Sequence, residues 1–487
     1  MAKLGLRRLP LGSTNKLSDK VGMKLLLLLS LLSSPHLLHA ASVWDTAVAD
    51  PVAAQLARPT KAQYEWQEQE LAMFVQLDPA TIQQREYDDG STPLKDIRFE
   101  KLDVNEWCQA AKSFGAKEIV FMLAHSGGFC MWPSQTTQYH IGNTAYRGGG
   151  GDVVKEFAAA CRRHGLNAGF YFWLPHPRKA AEDTSTISYR KLDKVETWED
   201  SNRLLERRFD EIMDRLGSDL VTEIWIDQPI KAAIGKRIAE RAPRAVIAAV
   251  GSRDPLPTIR WPGNERGVVA YPCWSTLDRA RIAATEAPNQ VEADKRQIQG
   301  AENPNGDYWA PHEADVPLHE HFWHMRPEAL KHRRSLETLM DCYEKSVGRN
   351  SFLILNCAPQ ADGSVHPDDM KRYEEFGTEI RRRFGNPLGK IEQVAAKDAV
   401  LNLGSAKTVG YVDLWEDYRY GHRIRAFVIE GFDGKGWVKL FEGTAVGRRM
   451  LARCNPTEVS QVRVRVTESV GTPLIRRLQV HASAQAR

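Results

Sequence analysis

The chain has no CxxC pair, no HExxH motif and no large excess of charge, and each absence removes a class of function. Its seven cysteines (Cys108, Cys130, Cys161, Cys273, Cys342, Cys357 and Cys454) are scattered through 487 residues. That pattern is neither a zinc-ribbon nor a dense disulfide framework, and the odd count leaves at least one thiol unpaired. Their apolar surroundings predict buried free cysteines, with room for a disulfide or two in an oxidising compartment. The net charge of +4 is small for this length, which argues against a dedicated nucleic-acid binder. No G-x-G-x-x-G opens a helix after the first strand. The run Gly148 to Gly151 lies in a loop before a helix and lacks the rest of that fingerprint. His312, His319, His321 and His324 cluster in sequence, but His319-Glu320-His321 lacks the i, i+4 spacing of a zinc helix, so no metal or cofactor is expected.

One targeting signal is present. Lys24 precedes an apolar core of Leu25 to Leu29, Ser30, Leu31 and Leu32, and small residues suit cleavage after Ala40. Residues 1–40 therefore predict a signal peptide, too short to span a membrane, and a secreted or periplasmic protein. The basic lead of residues 1–22 is long, and Met23-Lys24 would make a more typical start. No later run is apolar enough for a membrane helix. Residues 41–60 form a polar, Ala- and Pro-containing linker.

Between residues 61 and 387, helix and strand patterns alternate. Asp103 can cap a helix closed by Gly115, and Ile119 to Ala124 follows as a buried strand. Val153, Val154, Phe157 and Cys161 mark the next helix face, followed by the strand Ala168 to Trp173. The order repeats through Thr222 to Asp227, Ala245 to Val250 and Phe352 to Asn356. This is α/β organisation, and its length suits a (β/α)8-like barrel, with a doubly wound open sheet as the alternative. Residues 388–487 instead show strands at Lys407 to Leu414, Arg423 to Phe432, Trp437 to Glu442, Gln461 to Glu468 and Pro473 to His481. They predict a small all-β sandwich in which Trp415 and Trp437 are core or edge residues.

The tract Thr222-Glu223-Ile224-Trp225-Ile226-Asp227 carries the most information. A nearly apolar strand ending in Asp places a carboxylate at the C-terminal mouth of a parallel sheet, where such folds keep their chemistry. The alternative is an Asp that caps the next helix. Three loop tracts can join it: Ile259 to Glu265, Trp309 to Asp315, and His125 to Trp132, whose glycines allow close approach to a ligand. Glycoside hydrolysis by its commonest route needs two carboxylates flanking the scissile bond. Asp227 with Glu265 or Glu313 would supply them, although each Glu taken singly also fits a structural salt bridge. Thirteen Trp, thirteen Tyr and sixteen Phe could furnish flat sugar-binding faces or simply a large core.

At these residues the chain resembles glycoside hydrolase family 29, the α-L-fucosidases, over about residues 64 to 485. The matching tracts are Trp66 to Pro79, Leu102 to Trp132, Gly165 to Tyr171, Glu223 to Asp227, Arg260 to Glu265, Trp309 to Asp315, and Ser346 to Asn350 followed by Leu353 to Pro359. Arg260 to Gly267 is similar to the branch that prefers α-1,3/4-linked fucose. The resemblance implies a catalytic barrel, a following β-sandwich, a carbohydrate substrate and a retaining mechanism through a covalent glycosyl-enzyme. It implies Asp227 as nucleophile and Glu265 as general acid/base, with Glu313 a substrate contact or a rival acid. Gln76, His125, Ser126, Trp132, Tyr171, Trp225, Trp261 and Asn264 fall in the tracts expected to touch sugar.

The departures lie in that sugar-reading set. Where relatives read His-Phe/Trp-Gly, this chain has Gln76-Leu77-Asp78. Where they read His-His-Asp-Gly-Phe, it has His125-Ser126-Gly127-Gly128-Phe129. Ser-Pro-Trp-Asp becomes Trp173-Leu174-Pro175-His176. The bond-breaking pair is kept while two imidazoles are lost, so an altered sugar specificity or a binding-only pseudoenzyme stands beside the fucosidase reading.

Overall fold

The computed structural model describes residues 42–173, 197–249, 252, 255–280 and 302–484. The expected signal peptide, and Leu174-Pro175-His176, lie outside them. Among the described residues no helix is long and apolar enough to cross a membrane.

Seven parallel strands form the first sheet: β1 (Leu71–Val75), β2 (Glu118–Ala124), β3 (Asn167–Phe172), β4 (Val221–Ile226), β5 (Val246–Ala249), β8 (Glu313–Val316) and β9 (Phe352–Cys357), in the order β5-β4-β3-β2-β1-β9-β8. A short antiparallel pair, β6 (Thr276–Leu277) and β7 (Tyr308–Trp309), lies apart from it. The edges β5 and β8 are bridged by an irregular segment. The Ile259 amide donates to the Ile247 carbonyl at 3.2 Å, and the Arg260 amide donates to the Pro311 carbonyl at 2.9 Å. The Glu313 amide returns a bond to the Arg260 carbonyl at 2.8 Å. The sheet is thus a (β/α) barrel whose eighth stave is a few residues of loop, as Pro257 and Pro262 on either side leave little room for a regular strand.

Strand alternation divides the barrel into two cores. Met73, Ile119, Phe121, Phe170, Ile224, Ile226 and Ala314 face outward and pack against the surrounding helices. Ala72, Phe74, Val120, Met122, Tyr171, Ala248 and Ile354 face inward and fill the lumen. The helices start and stop where the sequence marks them: Asp103 caps Val104–Phe114, Asp152 caps Val153–His164, and Gly115 and Gly165 close them in the left-handed conformation. The short helix Lys61–Gln67 carries a Thr60/Gln63 capping box and sends Trp66 into the lumen, where it stacks on Phe352 with ring centroids 4.3 Å apart.

The C-terminal region contains β10 (Gly389–Val394), β11 (Asp398–Glu416), β12 (Ile424–Phe432), β13 (Trp437–Gly443), β14 (Met450–Ser469) and β15 (Ile475–Ala482). They form a single antiparallel ladder, β10-β15-β11-β14-β12-β13, rather than two separate sheets. The long strands β11 and β14 carry register shifts between Asn402/Lys407 and Val409/Tyr411, and the module encloses its own apolar core. The described part of the segment expected as a linker docks on the C-terminal module. Val43–Val48 is helical, and its Ala47 and Val48 carbonyls accept from the buried Arg423 guanidinium at 2.6 and 3.1 Å. Asp50 accepts from the Thr472 amide at 2.8 Å. Nothing in the apolar periodicity of this segment announces that docking, because its anchor is an arginine some 370 residues away. All seven cysteines are buried and free.

Buried ion pairs join module to barrel. Arg449 donates twice to Asp413, at 2.9 and 2.8 Å, and once each to Tyr343 Oη (2.6 Å) and Glu70 (3.2 Å). Arg448 reaches Glu70 at 2.6 Å. Burial alone would raise the Asp413 carboxyl, but Arg449 and His481 outweigh it and hold it at about 2. Its stabilising contribution is therefore complete above the ordinary aspartate range and fades as pH falls toward 2. Arg449→Met removes the arginine from buried Asp413, while Glu70 keeps Arg448, and we expect it to cost about 3–5 kcal/mol in denaturant unfolding at neutral pH. A loss below about 1 kcal/mol would show that the junction does not depend on this pair.

Candidate active site

A cavity of about 190 Å3 opens at the C-terminal mouth of the barrel. Its floor is apolar, from Phe74, Val120, Ile354 and Trp323, and its walls carry Tyr87, Tyr171, Trp173, Trp225 and Trp261. Four carboxylates line it, Glu86, Asp227, Glu265 and Asp315, with no Lys or Arg among the described lining residues. Gln76 and His125 complete the polar set.

Asp227 follows β4 directly, and its amide still extends the ladder by donating to the Phe172 carbonyl at 2.9 Å. Alternation turns Glu223, Trp225 and Asp227 toward the lumen while Ile224 and Ile226 face the helices. Burial raises the Asp227 carboxyl, and a hydrogen bond from Tyr171 Oη to Oδ2 at 2.8 Å opposes that shift. One carboxylate oxygen is thereby fixed while the other stays available. Glu265 sits on the exposed loop after Gly263, which adopts positive φ (73°) to make the turn.

Glu313 is placed differently from its expected role. It is fully buried below the cavity and accepts from Trp225 Nε1 at 2.5 Å. Burial pushes its carboxyl up to about 7, and the neighbouring Glu223 is raised well above the ordinary range by burial, by Glu313 and by Glu118. Glu223 in turn accepts from Trp66 Nε1 at 2.6 Å. This pair is a buried, hydrogen-bonded structural layer under the site. Asp315, two residues beyond Glu313 on the same face of β8, is the carboxylate that reaches the cavity. Burial raises it strongly, and Trp261 Nε1 donates to it at 2.8 Å.

Gln76, His125, Tyr171, Trp225 and Trp261 line the cavity as expected, alongside Asp227 and Glu265. Ser126, Trp132 and Asn264 do not. Trp132 is buried in the outer core and donates to Glu211 at 2.7 Å, because its loop turns back to place the Met131 amide on the Leu123 carbonyl. Asn264 caps its own turn, with Oδ1 accepting from the Arg266 amide at 3.2 Å and Nδ2 donating to the Val268 carbonyl at 3.2 Å. Ser126 Oγ is buried without a hydrogen-bond partner. Glu86, Tyr87, Asp315 and Trp323 are lining residues that local sequence patterns do not single out. Only Asp315 had a usable signal, its two-residue spacing from Glu313 in a strand.

The altered motif after β2 has a spatial cause. A Cβ at Gly127 would lie 1.8 Å from Asp88 Oδ2. Asp88 accepts there from Tyr139 Oη at 2.8 Å and from the Gly90 amide at 2.7 Å. A carboxylate from the loop after β1 thus fills the space beside position 127.

Carboxylates among aromatic faces at a barrel mouth are what cleavage of a glycosidic bond demands, and they define the class as a glycoside hydrolase. The α-L-fucosidase family profile matches residues 50–382. A rice protein provisionally named α-L-fucosidase 1 is 29% identical over 93% of this chain and 90% of its own length. A crystal structure from Bacteroides thetaiotaomicron, also provisionally named an α-L-fucosidase, superposes with a TM-score of 0.77 at 28% identity, covering 88% of this chain and 99% of that one. A glycoside hydrolase 29 family member from a rumen bacterium gives 0.74 at 26%, covering 89% and 79%. The chain belongs to the α-L-fucosidase family, glycoside hydrolase family 29.

Tyr171→Phe removes the bond that lowers Asp227, so the Asp227 carboxyl should rise further. We expect the acidic limb of kcat/KM against pH to move to higher pH, with little change in the fold by circular dichroism. An unmoved limb would mean that Asp227 is not the group titrating there.

Proposed function

We propose that this chain is a retaining exo-α-L-fucosidase, and the observation that carries the reading is that Asp227 and Glu265 line one cavity. Asp227 attacks the anomeric carbon through the oxygen not held by Tyr171, and Glu265 protonates the departing glycosidic oxygen. Glu265 then takes a proton from water as that water displaces the sugar from Asp227. The cavity is smaller than the ~300–1,000 Å3 of drug-sized ligand pockets, which favours a single terminal sugar. Its apolar floor suits the methyl group of a 6-deoxy sugar. Four carboxylates with no Lys or Arg among the described lining residues disfavour sulfated or acidic sugars. The α-1,3/4-type loop Arg260 to Gly267 supports branched fucosylated glycans as substrates, and the apolar run after Lys24 supports export of the enzyme.

A second reading concerns the acid/base alone. Asp315 lines the same cavity with a strongly raised carboxyl, as a proton donor requires, whereas Glu265 is exposed at the lip. Trp261 holds Asp315 in place, which favours Glu265 as the mobile donor. Aryl α-L-fucosides decide between them. Glu265→Ala should lose about 10²–10⁴-fold on poor leaving groups, far less on activated ones, and recover with azide. Asp227→Ala should be inactive on both, and the first-formed product should keep the α anomer by NMR. If Asp315→Asn shows the leaving-group dependence and azide rescue instead, the acid role passes to Asp315. Should the wild type release a different sugar from a glycoside panel, Gln76 and Ser126 would have changed specificity. Release of none by the folded protein would leave the binding-only reading.

A further inference from the structure

Beside the cavity wall the chain holds two imidazoles and a carboxylate that no part of the proposed mechanism uses. His125 follows β2 and lines the cavity. His324 comes from the loop after β8 and is fully buried, and Asp78 follows β1, buried as well. One ligating atom from each lies within 4.8 Å of the others. The His125 and His324 rings are 5.8 Å apart between centroids.

The polar accounting of this cluster is incomplete. His324 Nε2 stands 3.3 Å from Asp78 Oδ1 and Nδ1 3.8 Å from Glu86 Oε1, but neither nitrogen makes a hydrogen bond of good geometry. His125 Nδ1 is also buried and without a partner. Buried polar atoms are normally satisfied, so three such nitrogens in one place point to a missing partner. Charge points the same way. Arg326 answers Glu86 at 2.9 Å, while among the described residues Asp78 pairs with no Lys or Arg. A proton on His324 would answer Asp78 and Glu86, and would still leave the buried His125 Nδ1 without a partner.

We propose that Asp78, His125 and His324 bind a divalent transition-metal ion of the zinc class in the inner wall of the cavity. Two neutral imidazoles and one carboxylate are the ligand set such ions favour, and three protein ligands leave coordination positions open. His125 is the member that reaches the cavity, so the open positions lie on that side. The other cluster of this kind among the described residues, Cys273, Glu302 and His312, is different. The Cys273 thiol already lies 3.2 Å from His312 Nδ1, and Arg260 stands 3.5 Å from Glu302, so a cation is in place.

Metal-stripped full-length protein, titrated with Zn2+ by equilibrium dialysis and with Co2+ by visible absorption, tests the site without reference to turnover. The expected result is one equivalent bound per chain and a cobalt ligand-field band. His324→Gln and His125→Gln should each weaken binding by about 100-fold, at least the loss typical of outer-shell changes. Cys273→Ser should leave binding unchanged. No stoichiometric binding by folded wild type would overturn the proposal. So would binding that survives both histidine substitutions, or that is lost in Cys273→Ser. His125 lies on the cavity wall, so its substitution tests the site even if His324→Gln does not fold. Each of these outcomes leaves the hydrolase reading where it stands.

Discussion

An apolar barrel lumen tolerates carboxyl groups only when each has a donor, and here aromatic side chains supply them. Trp66 donates to Glu223, Trp225 to Glu313, Trp261 to Asp315 and Tyr171 to Asp227. These four bonds climb the lumen from its floor to its mouth. Each fixes an aromatic ring as well as an acid, so the rings that wall the cavity and the acids that line it hold each other in place. In the lower pair burial raises both carboxyls, and Glu313 pushes Glu223 up further while Glu223 holds Glu313 down to about 7. The upper pair borders the cavity, where charge is chemically useful.

Departures from the family pattern acquire meaning within this arrangement. Gly127 and Asp88 exchange places through space, since the Asp88 carboxylate occupies the volume a side chain at 127 would need. His324 lies beside His125, with ring centroids 5.8 Å apart, but it is fully buried behind the cavity and does not replace the imidazoles absent from 76 and 126. Both changes lie on the wall formed by the loops after β1 and β2. The side that carries Asp227, Tyr171 and Trp225 keeps the tracts shared with relatives. That side is held by the ladder from β3 to β4, which Asp227 extends through its amide.

Much of this was legible in the chain. Caps such as Asp103 and Asp152 and closing glycines such as Gly115 and Gly165 act locally, so they mark the barrel helices at their true ends. Asp227 was legible because a carboxylate ending an apolar strand is costly to bury and is kept there for chemistry or for capping. Glu313 was misread because sequence proximity to a motif does not say how deep in the lumen a residue lies. Alternation puts 313 and 315 on one face, but only the register of β8 on β9 sets which one reaches the mouth. Trp132 and Asn264 were misread because a loop tract does not reveal side-chain direction. The docking of residues 43–50 and the closure of the barrel near Arg260 depend on partners distant in sequence, which local patterns cannot disclose.

The central claim is that Asp227 forms a covalent bond to the sugar. Incubation with a fluorinated fucosyl substrate whose second step is slow, followed by proteolysis and mass spectrometry, tests it most directly. The account predicts a single glycosyl adduct on the peptide bearing Asp227. An adduct on Glu265 or Asp315, or turnover to the inverted sugar with no adduct at all, would contradict it.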